Sequence, residues 1–316
     1  MVTERKMNAM GISFHYFHNN REHIECQGSL DEKQFDEMIQ KIISRYDVLS
    51  PESFLEVVNS GINEGCTNVV ITFSCGLKSQ YDIALPILKK YGIKAIWFLY
   101  TDNFYGNDIL VEKYHHFRFY SYKNIDLFYD DFFKCAKEYV SEKDWDDYNS
   151  TDEYAWSDYY TEQDKRYKYL RNKILSKEIF NSIMNELMRK KGYCFDDHKQ
   201  EIWLTKDMVR EIVSQGHMLG LHTHTHPNDV KSLSYEMQKK EYLENKKCLE
   251  SIIGKEVSLM SHPCNSYNDD TLKVLHELRI KYGFRADMSK QNYSLFELPQ
   301  IDASSLYRIL LSEGRT

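Results

Sequence analysis

The strongest constraint on the fold is a repeated strand–helix alternation. Short apolar, β-rich runs stand at 10–17, 67–73, 93–100, 218–222, 256–260, 281–285 and 298–302. Segments with helical periodicity separate most of them. After 17, Ser29 with Glu32 reads as a capping box, and Phe35, Met38, Ile39, Ile42, Ile43 and Tyr46 then recur on one helical face. Ser50-Pro51 opens a second helix that Gly61 closes. Lys78 to Tyr91 reads as a helix with Pro86 as a kink or break, and Gly92 ends it. Further helices are expected over 205–215, from Ser232 or Ser234 to Ile253, and from Asn268 or Asp269 to Leu278. Strand and helix in this order imply an α/β fold with a largely parallel sheet.

The alternation stops at 103–200, which is too long for an ordinary connection. Helical patterns are expected over 124–140 and, as one basic amphipathic helix, over 166–191. Between them, 144–164 interleaves Trp145, Tyr148, Tyr154, Trp156, Tyr159 and Tyr160 with Asp and Glu. We read 103–200 as a helical, acidic-aromatic insertion within a single domain spanning 1–316. It would act as a cap or interaction surface, or simply pack by its aromatic residues.

In parallel α/β folds the site lies at the carboxyl ends of the strands. The polar residues cluster there: His15 and His18, Ser74 and Cys75, His222 and His226, His262 and Cys264, Arg285 and Asp287. The densest run is His222-Thr223-His224-Thr225-His226-Pro227, directly after the apolar Met218–Leu221. If the chain stays extended, all three histidines point to one face. If it coils after His222, the spacing of four still lets His222 and His226 converge on one ion. Imidazole is the commonest protein ligand for zinc and related metals, but two histidines need further ligands. The alternative is a polar loop of structural histidines.

Composition narrows the function classes. A formal net charge of −7 argues against a nucleic-acid binder. No apolar run approaches membrane-spanning length. The charged stretch Met1 to Met10 has no apolar core of a secretory signal, so a cytoplasmic location is expected. The seven cysteines are scattered without a Cys-x-x-Cys pair, which fits free thiols.

The polar clusters together resemble the polysaccharide deacetylase family, which includes the nodulation-factor chitooligosaccharide deacetylases. His222-Thr223-His224-Thr225-His226-Pro227 fits that family's His-Thr-x-x-His-Pro motif throughout. Pro263-Cys264-Asn265-Ser266-Tyr267-Asn268 is similar to its active-site wall. Thr72-Phe73-Ser74-Cys75-Gly76 stands where the family has Thr-Phe-Asp-Asp-Gly. The resemblance covers roughly 8–102 and 203–303. It implies an irregular (β/α) barrel of about seven parallel strands, and hydrolysis of N- or O-acyl groups on sugars with a divalent metal.

The resemblance breaks at the first motif. By position, Ser74 replaces the family's general base and Cys75 its aspartate ligand. A serine hydroxyl has no useful basicity near neutral pH. Cysteine can ligate as a thiolate, so Cys75, His222 and His226 would form a Cys-His₂ set with a fourth position open, which suits zinc. Alternatively, Cys75 fills the vacated space as a small apolar residue. The family's late Leu-x-x-His, its general acid, is also missing; Leu298-Pro299-Gln300-Ile301-Asp302 occupies that strand. His262, His15, His18 and Asp302 are candidate substitutes, with Arg285 and Asp287 to orient them. Pro263 and Tyr267 would contact substrate.

The resemblance thus implies a hydrolase removing an acetyl or formyl group from an amino sugar in surface-polysaccharide (O-antigen or capsule) biosynthesis. Its substrate would be a carbohydrate or nucleotide-linked sugar, with no nucleic acid or membrane span and with homo-oligomerisation open. The alternative is a catalytically degenerate barrel that binds a glycan or protein partner.

Overall fold

The computed structural model describes residues 5–6, 9–19, 21–61, 67–147, 161–286, 288 and 292–306. Seven strands form the central sheet: β1 (Ala9–Phe14), β2 (Asn68–Ser74), β3 (Ala95–Leu99), β4 (Met218–Leu221), β5 (Leu259–Ser261), β6 (Tyr282–Arg285) and β7 (Leu298–Asp302). Every neighbouring pair is parallel, and β7 returns to β1, which also pairs with β2. The sheet therefore closes on itself as a (β/α) barrel. A two-residue strand, Asp47–Val48, lies beside β2.

Closure sorts the side chains by the strand period of two. On β2, Val69, Ile71 and Phe73 join the layer shared with the surrounding helices, while Val70 faces the interior. On β1, Met10, Ile12 and Phe14 face outward and Ala9 inward; on β3, Ala95, Trp97 and Leu99 face outward and Ile96 and Phe98 inward. The outer layer is aromatic, with Phe73 stacked on Trp97 at 4.5 Å and Phe14 edge-on to Phe35 at 5.0 Å. Inside, apolar residues give way toward the carboxyl ends to Thr72, Ser261 and Gln300, all buried. Gly220 is required by this packing. A Cβ there would lie 2.4 Å from Phe98 of the adjacent strand, so the interior has room for one of the two side chains.

The helices begin where local chemistry starts them. Ser50 caps Pro51–Ser60, which Gly61 ends in the left-handed region. Ser234 caps Tyr235–Ile253, ended by Gly254, and Asn268 caps Asp269–Glu277 with a capping box. Two expectations need correction. The first helix, Glu32–Arg45, is capped by Asp31 with Gln34, because the Ser29 hydroxyl is spent on Cys26 and His18. The expected single helix over 166–191 is broken: Glu162–Tyr169 runs into a wide turn at Leu170–Ile174, Leu175 is extended, and Ser176 caps a new helix, Lys177–Lys190.

Contacts divide the chain into two units: residues 1–109 with 201–316, and 110–200. The second unit is helical, with an aromatic core of Phe117, Phe128, Tyr129, Phe132, Tyr167 and Phe180. The guanidinium of Arg118 lies over several of these rings. Residues 148–160, most of the acidic-aromatic run, lie outside the described residues. No helix among the described residues is long and apolar enough to cross a membrane.

His217, just before β4, lies at the amino ends of the strands. Its Nδ1 accepts from the backbone N–H of Ala95 at 3.0 Å, and burial, aided by Lys94, pushes its pKa down to about 4. Between that value and the unfolded value of about 6.5, the unfolded chain binds more protons. This contribution to stability is complete above the unfolded pKa and is lost as pH falls toward 4. It amounts to on the order of 3 kcal/mol. Urea unfolding at pH 7 and 4.5 should show the parent losing more stability than His217→Gln, whose amide oxygen can still accept from Ala95 N–H.

Candidate metal centre at the mouth of the barrel

The chain leaves extended geometry immediately after β4, so the histidines do not form one extended row. Thr223 and His226 have φ of 62° and 55°. This turn brings the first and last histidines together, with ring centroids 5.0 Å apart. Cys75, after β2, also has positive φ, 82°. Ligand atoms of Cys75, His222 and His226 all lie within 4.8 Å of one another.

The three positions are fixed from β3 and from the helix behind. Cys75 N–H donates to Phe98 O at 3.0 Å, and His222 N–H donates to Leu99 O at 3.2 Å. Consecutive carbonyls at the end of β3 thus set both residues. His222 N–H also donates to Asn245 Oδ1 at 2.9 Å, and the Asn245 amide donates to Leu99 O and Thr101 Oγ1. Glu241, one helical turn earlier, accepts from the N–H groups of His224 and Thr225. Tyr100 meets the His226 ring edge-on at 5.8 Å, and its hydroxyl accepts from Trp203 Nε1. Asn245, Glu241, Thr101 and Tyr100 were not singled out from the sequence. They lie on a helix or within an apolar run, and only the folded register shows what they hold.

Electrostatics suit a cation. His222 Nδ1 donates to Ser261 O at 3.0 Å, so Nε2 is the atom that could ligate an ion. Burial, followed by the neighbouring His226, holds the His222 pKa well below the usual imidazole range, so the ring is neutral. His226 is only half-buried, leaving one side of the cluster open. Five non-glycine residues at these strand ends have positive φ: Cys75, Thr223, His226, Cys264 and Asn265. Each such residue costs roughly 1–2 kcal/mol, and strain of this kind collects at functional sites.

The remaining candidates divide. Ser74 is buried at the carboxyl end of β2, and its carbonyl accepts from Gln80 Nε2. His262 and Pro263 are buried in the wall. His262 Nε2 donates to Phe296 O at 2.8 Å, and its ring lies flat on Tyr267 at 4.1 Å. Tyr267 donates its hydroxyl to Glu297. Arg285 is fully buried, with Nε donating to Glu297 O at 3.1 Å. Asp287 lies outside the described residues. His18 bonds Ser29 in a separate buried loop. His224 turns away from the pair toward Thr101 and Asp102. His15 meets Asp302 at the mouth, with 3.4 Å between Nδ1 and Oδ2.

A profile described as polysaccharide deacetylase matches residues 166–283. Residues 166–283 are thus similar to the polysaccharide deacetylase family. The matched stretch includes His222, His226 and the wall, and leaves out Ser74, Cys75 and Asp302. No curated protein matches the sequence. The deacetylase PplD of Streptococcus pyogenes, solved in complex with acetate, superposes with a TM-score of 0.56 at 16% identity, over 98% of this chain and 99% of that one. IcaB from Ammonifex degensii gives 0.57 at 11%, over 97% of each. A de-N-acetylase from Aggregatibacter actinomycetemcomitans gives 0.55 at 13%, over 96% and 99%. At these identities the likeness is one of fold.

Proposed function

We propose that the chain is a divalent-metal-dependent carbohydrate deacylase that removes an N-acetyl or N-formyl group from an amino sugar. The observation that carries this reading is the convergence of Cys75, His222 and His226 at the open mouth of a deacetylase-type barrel. One thiol and two imidazoles with an open side fit zinc in a tetrahedral site with a vacant fourth position. An ion held there would polarise the acyl carbonyl. The chain's own residues do the rest. Ser261 O fixes the tautomer of His222. The wall of His262, Pro263 and Tyr267, braced by Glu297 and the Phe296 carbonyl, shapes one side for a sugar. Ser74 cannot serve as base, so the proton must be moved by another group. The similarity to the Aggregatibacter actinomycetemcomitans de-N-acetylase favours an amide over an ester. A role in building surface polysaccharide rests on the family alone.

The test is acyl release by zinc-loaded protein from penta-N-acetylchitopentaose and from a nucleotide-linked N-acetyl sugar, with acetate measured directly. Release that stops on chelation and returns with zinc is expected. Stoichiometric zinc without release from either probe would instead favour a second reading, a glycan-binding barrel that has lost hydrolysis. The replacement of the motif base by Ser74 speaks for that reading.

A further inference from the structure

We propose that residues 202–204, where the chain returns from the helical insertion, form a strap that sets the zinc affinity of the candidate centre, with Trp203 positioning both Cys75 and His226. This deepens the metal-dependent reading and rests on it.

The turn that carries Cys75 has a shape its residue types do not favour. Cys75 and Gly76 are consecutive, with φ of 82° and 73°, and a side chain at positive φ is disfavoured. Gly76 also lies against β3, where a Cβ would come within 3.0 Å of the Leu99 side chain. Such a backbone persists only where its surroundings over-determine it. Three hydrogen bonds do so here. Cys75 N–H donates to Phe98 O at 3.0 Å, Leu77 N–H donates to Gln80 Oε1 at 3.3 Å, and Leu204 N–H donates to Gly76 O at 3.1 Å. The first acceptor is on the neighbouring strand, and the second is three residues along the same turn. The third bond comes from far along the chain, just after the helical unit ends at residue 200. An isolated antiparallel bridge between Leu77 and Trp203 fixes its register. Ile202, Trp203 and Leu204 are all buried, so the strap is anchored by packing as well.

The same strap reaches the histidine side of the cluster. Trp203 Nε1 donates to the Tyr100 hydroxyl at 2.7 Å, and the buried Tyr100 ring meets His226 edge-on at 5.8 Å. His226 also has positive φ, 55°, so its placement too depends on what surrounds it. Trp203 and its neighbour thus brace two members of the candidate set that follow different strands. His222 is held separately, by Leu99 O, Asn245 and Ser261 O. Loosening the strap should therefore shift Cys75 and His226 against a fixed His222, which changes ligand geometry before it changes the fold. Partners that orient ligands in this way are typically worth 10–100-fold in metal affinity.

The experiment uses the full-length protein, with zinc affinity measured against a competing chelator. Trp203→Phe keeps an aromatic ring in the strap and loses the Nε1 donor. It should weaken zinc binding by at least about tenfold. Tyr100→Phe removes the same bond from its other end and should give the same loss, and the double variant should lose no more than either single. Val58→Ala, in the core beside the helix Pro51–Ser60, is the control. It should lower the thermal midpoint of the metal-free protein and leave zinc affinity unchanged.

A second arm needs no variant. Coupling between sites is reciprocal, so zinc should hold the strap closed. In the parent, zinc should slow hydrogen exchange of Leu204 N–H by a larger factor than that of Phe54 N–H, which is bonded to Ser50 O in the helix Pro51–Ser60. The proposal is overturned if Trp203→Phe binds zinc as the parent does, if the losses of the two single variants add in the double, or if zinc slows the two amides equally. Each of these results leaves the metal-dependent reading standing, because the parent still binds zinc. A parent that binds no zinc overturns that reading and the strap together.

Discussion

Zinc titrated into the metal-free protein should raise its thermal midpoint, and His222→Ala should remove that response entirely. A ligand bound only by the folded state adds about 2.7 kcal/mol at one hundred times its dissociation constant. For a barrel unit of this size, that corresponds to a rise of roughly 5–10 °C. His222 carries the largest share for three reasons: it is buried, it is neutral, and its Nε2 is turned to the site by Ser261 O. Losing a ligand should cost more than the 10–100-fold typical of an outer partner. Substitutions at Cys75 decide whether it is ligand or filler. Cys75→Ala should lose zinc if the thiolate binds, while Cys75→Asp, which restores a ligating oxygen, should keep it. A thiol must shed its proton to ligate. The parent's affinity should therefore fall by up to about tenfold per pH unit below the thiol's ionisation, and that of Cys75→Asp should stay nearly flat near neutrality. His18→Ala is the control, since its imidazole is spent on Ser29. An unchanged zinc response in Cys75→Ala would make Cys75 a filler, and an unchanged response in His222→Ala would remove the metal centre altogether.

Much of this architecture is legible in the sequence because it rests on local signals. Short apolar, β-rich runs mark β1, β2 and β3, and Ser50, Gly61, Ser234, Gly254 and Asn268 mark helix ends. Signals that compete locally are misread. Ser29 looks like a cap three residues before Glu32, yet its hydroxyl serves His18, and Asp31 caps instead. Ser176 interrupts what periodicity alone joins into one basic helix. The site is legible only in part. The spacing of His222 and His226 allows convergence, but convergence depends on a backbone turned through positive φ at Thr223 and His226, which neither residue type announces. The contact of His15 with Asp302 spans almost the whole chain and follows from barrel closure, which no local pattern encodes. The same holds for Asn245, which reads as an ordinary polar residue on a helix until its register against β3 and β4 is known.

Asn245 should therefore be costly to replace, and in a diagnostic way. It is fully buried, and its amide makes three bonds: to Leu99 O at 2.9 Å, to Thr101 Oγ1 at 3.0 Å, and from His222 N at 2.9 Å. Leucine nearly matches its volume and makes none of them. His222 N keeps Leu99 O as a second acceptor, and Thr101 keeps His224, so the loss is not the full cost of three orphaned groups. A destabilisation of roughly 2–4 kcal/mol follows. Asn245→Asp should be worse despite its similar shape, because a carboxylate placed against the Leu99 carbonyl sets acceptor against acceptor. Global stability alone would not show that Asn245 positions the site. Gln238 provides the contrast: it is equally buried on the same helix, but its amide is engaged with Leu233, Asn268 and Thr271, away from the metal ligands. Gln238→Leu should lower the urea midpoint comparably while leaving zinc affinity, measured against a competing chelator, unchanged. Asn245→Leu should lower both, with zinc affinity falling by about 10–100-fold. Equal zinc affinity in the two variants would mean that the strand ends alone hold His222, and that the helix behind contributes stability without precision.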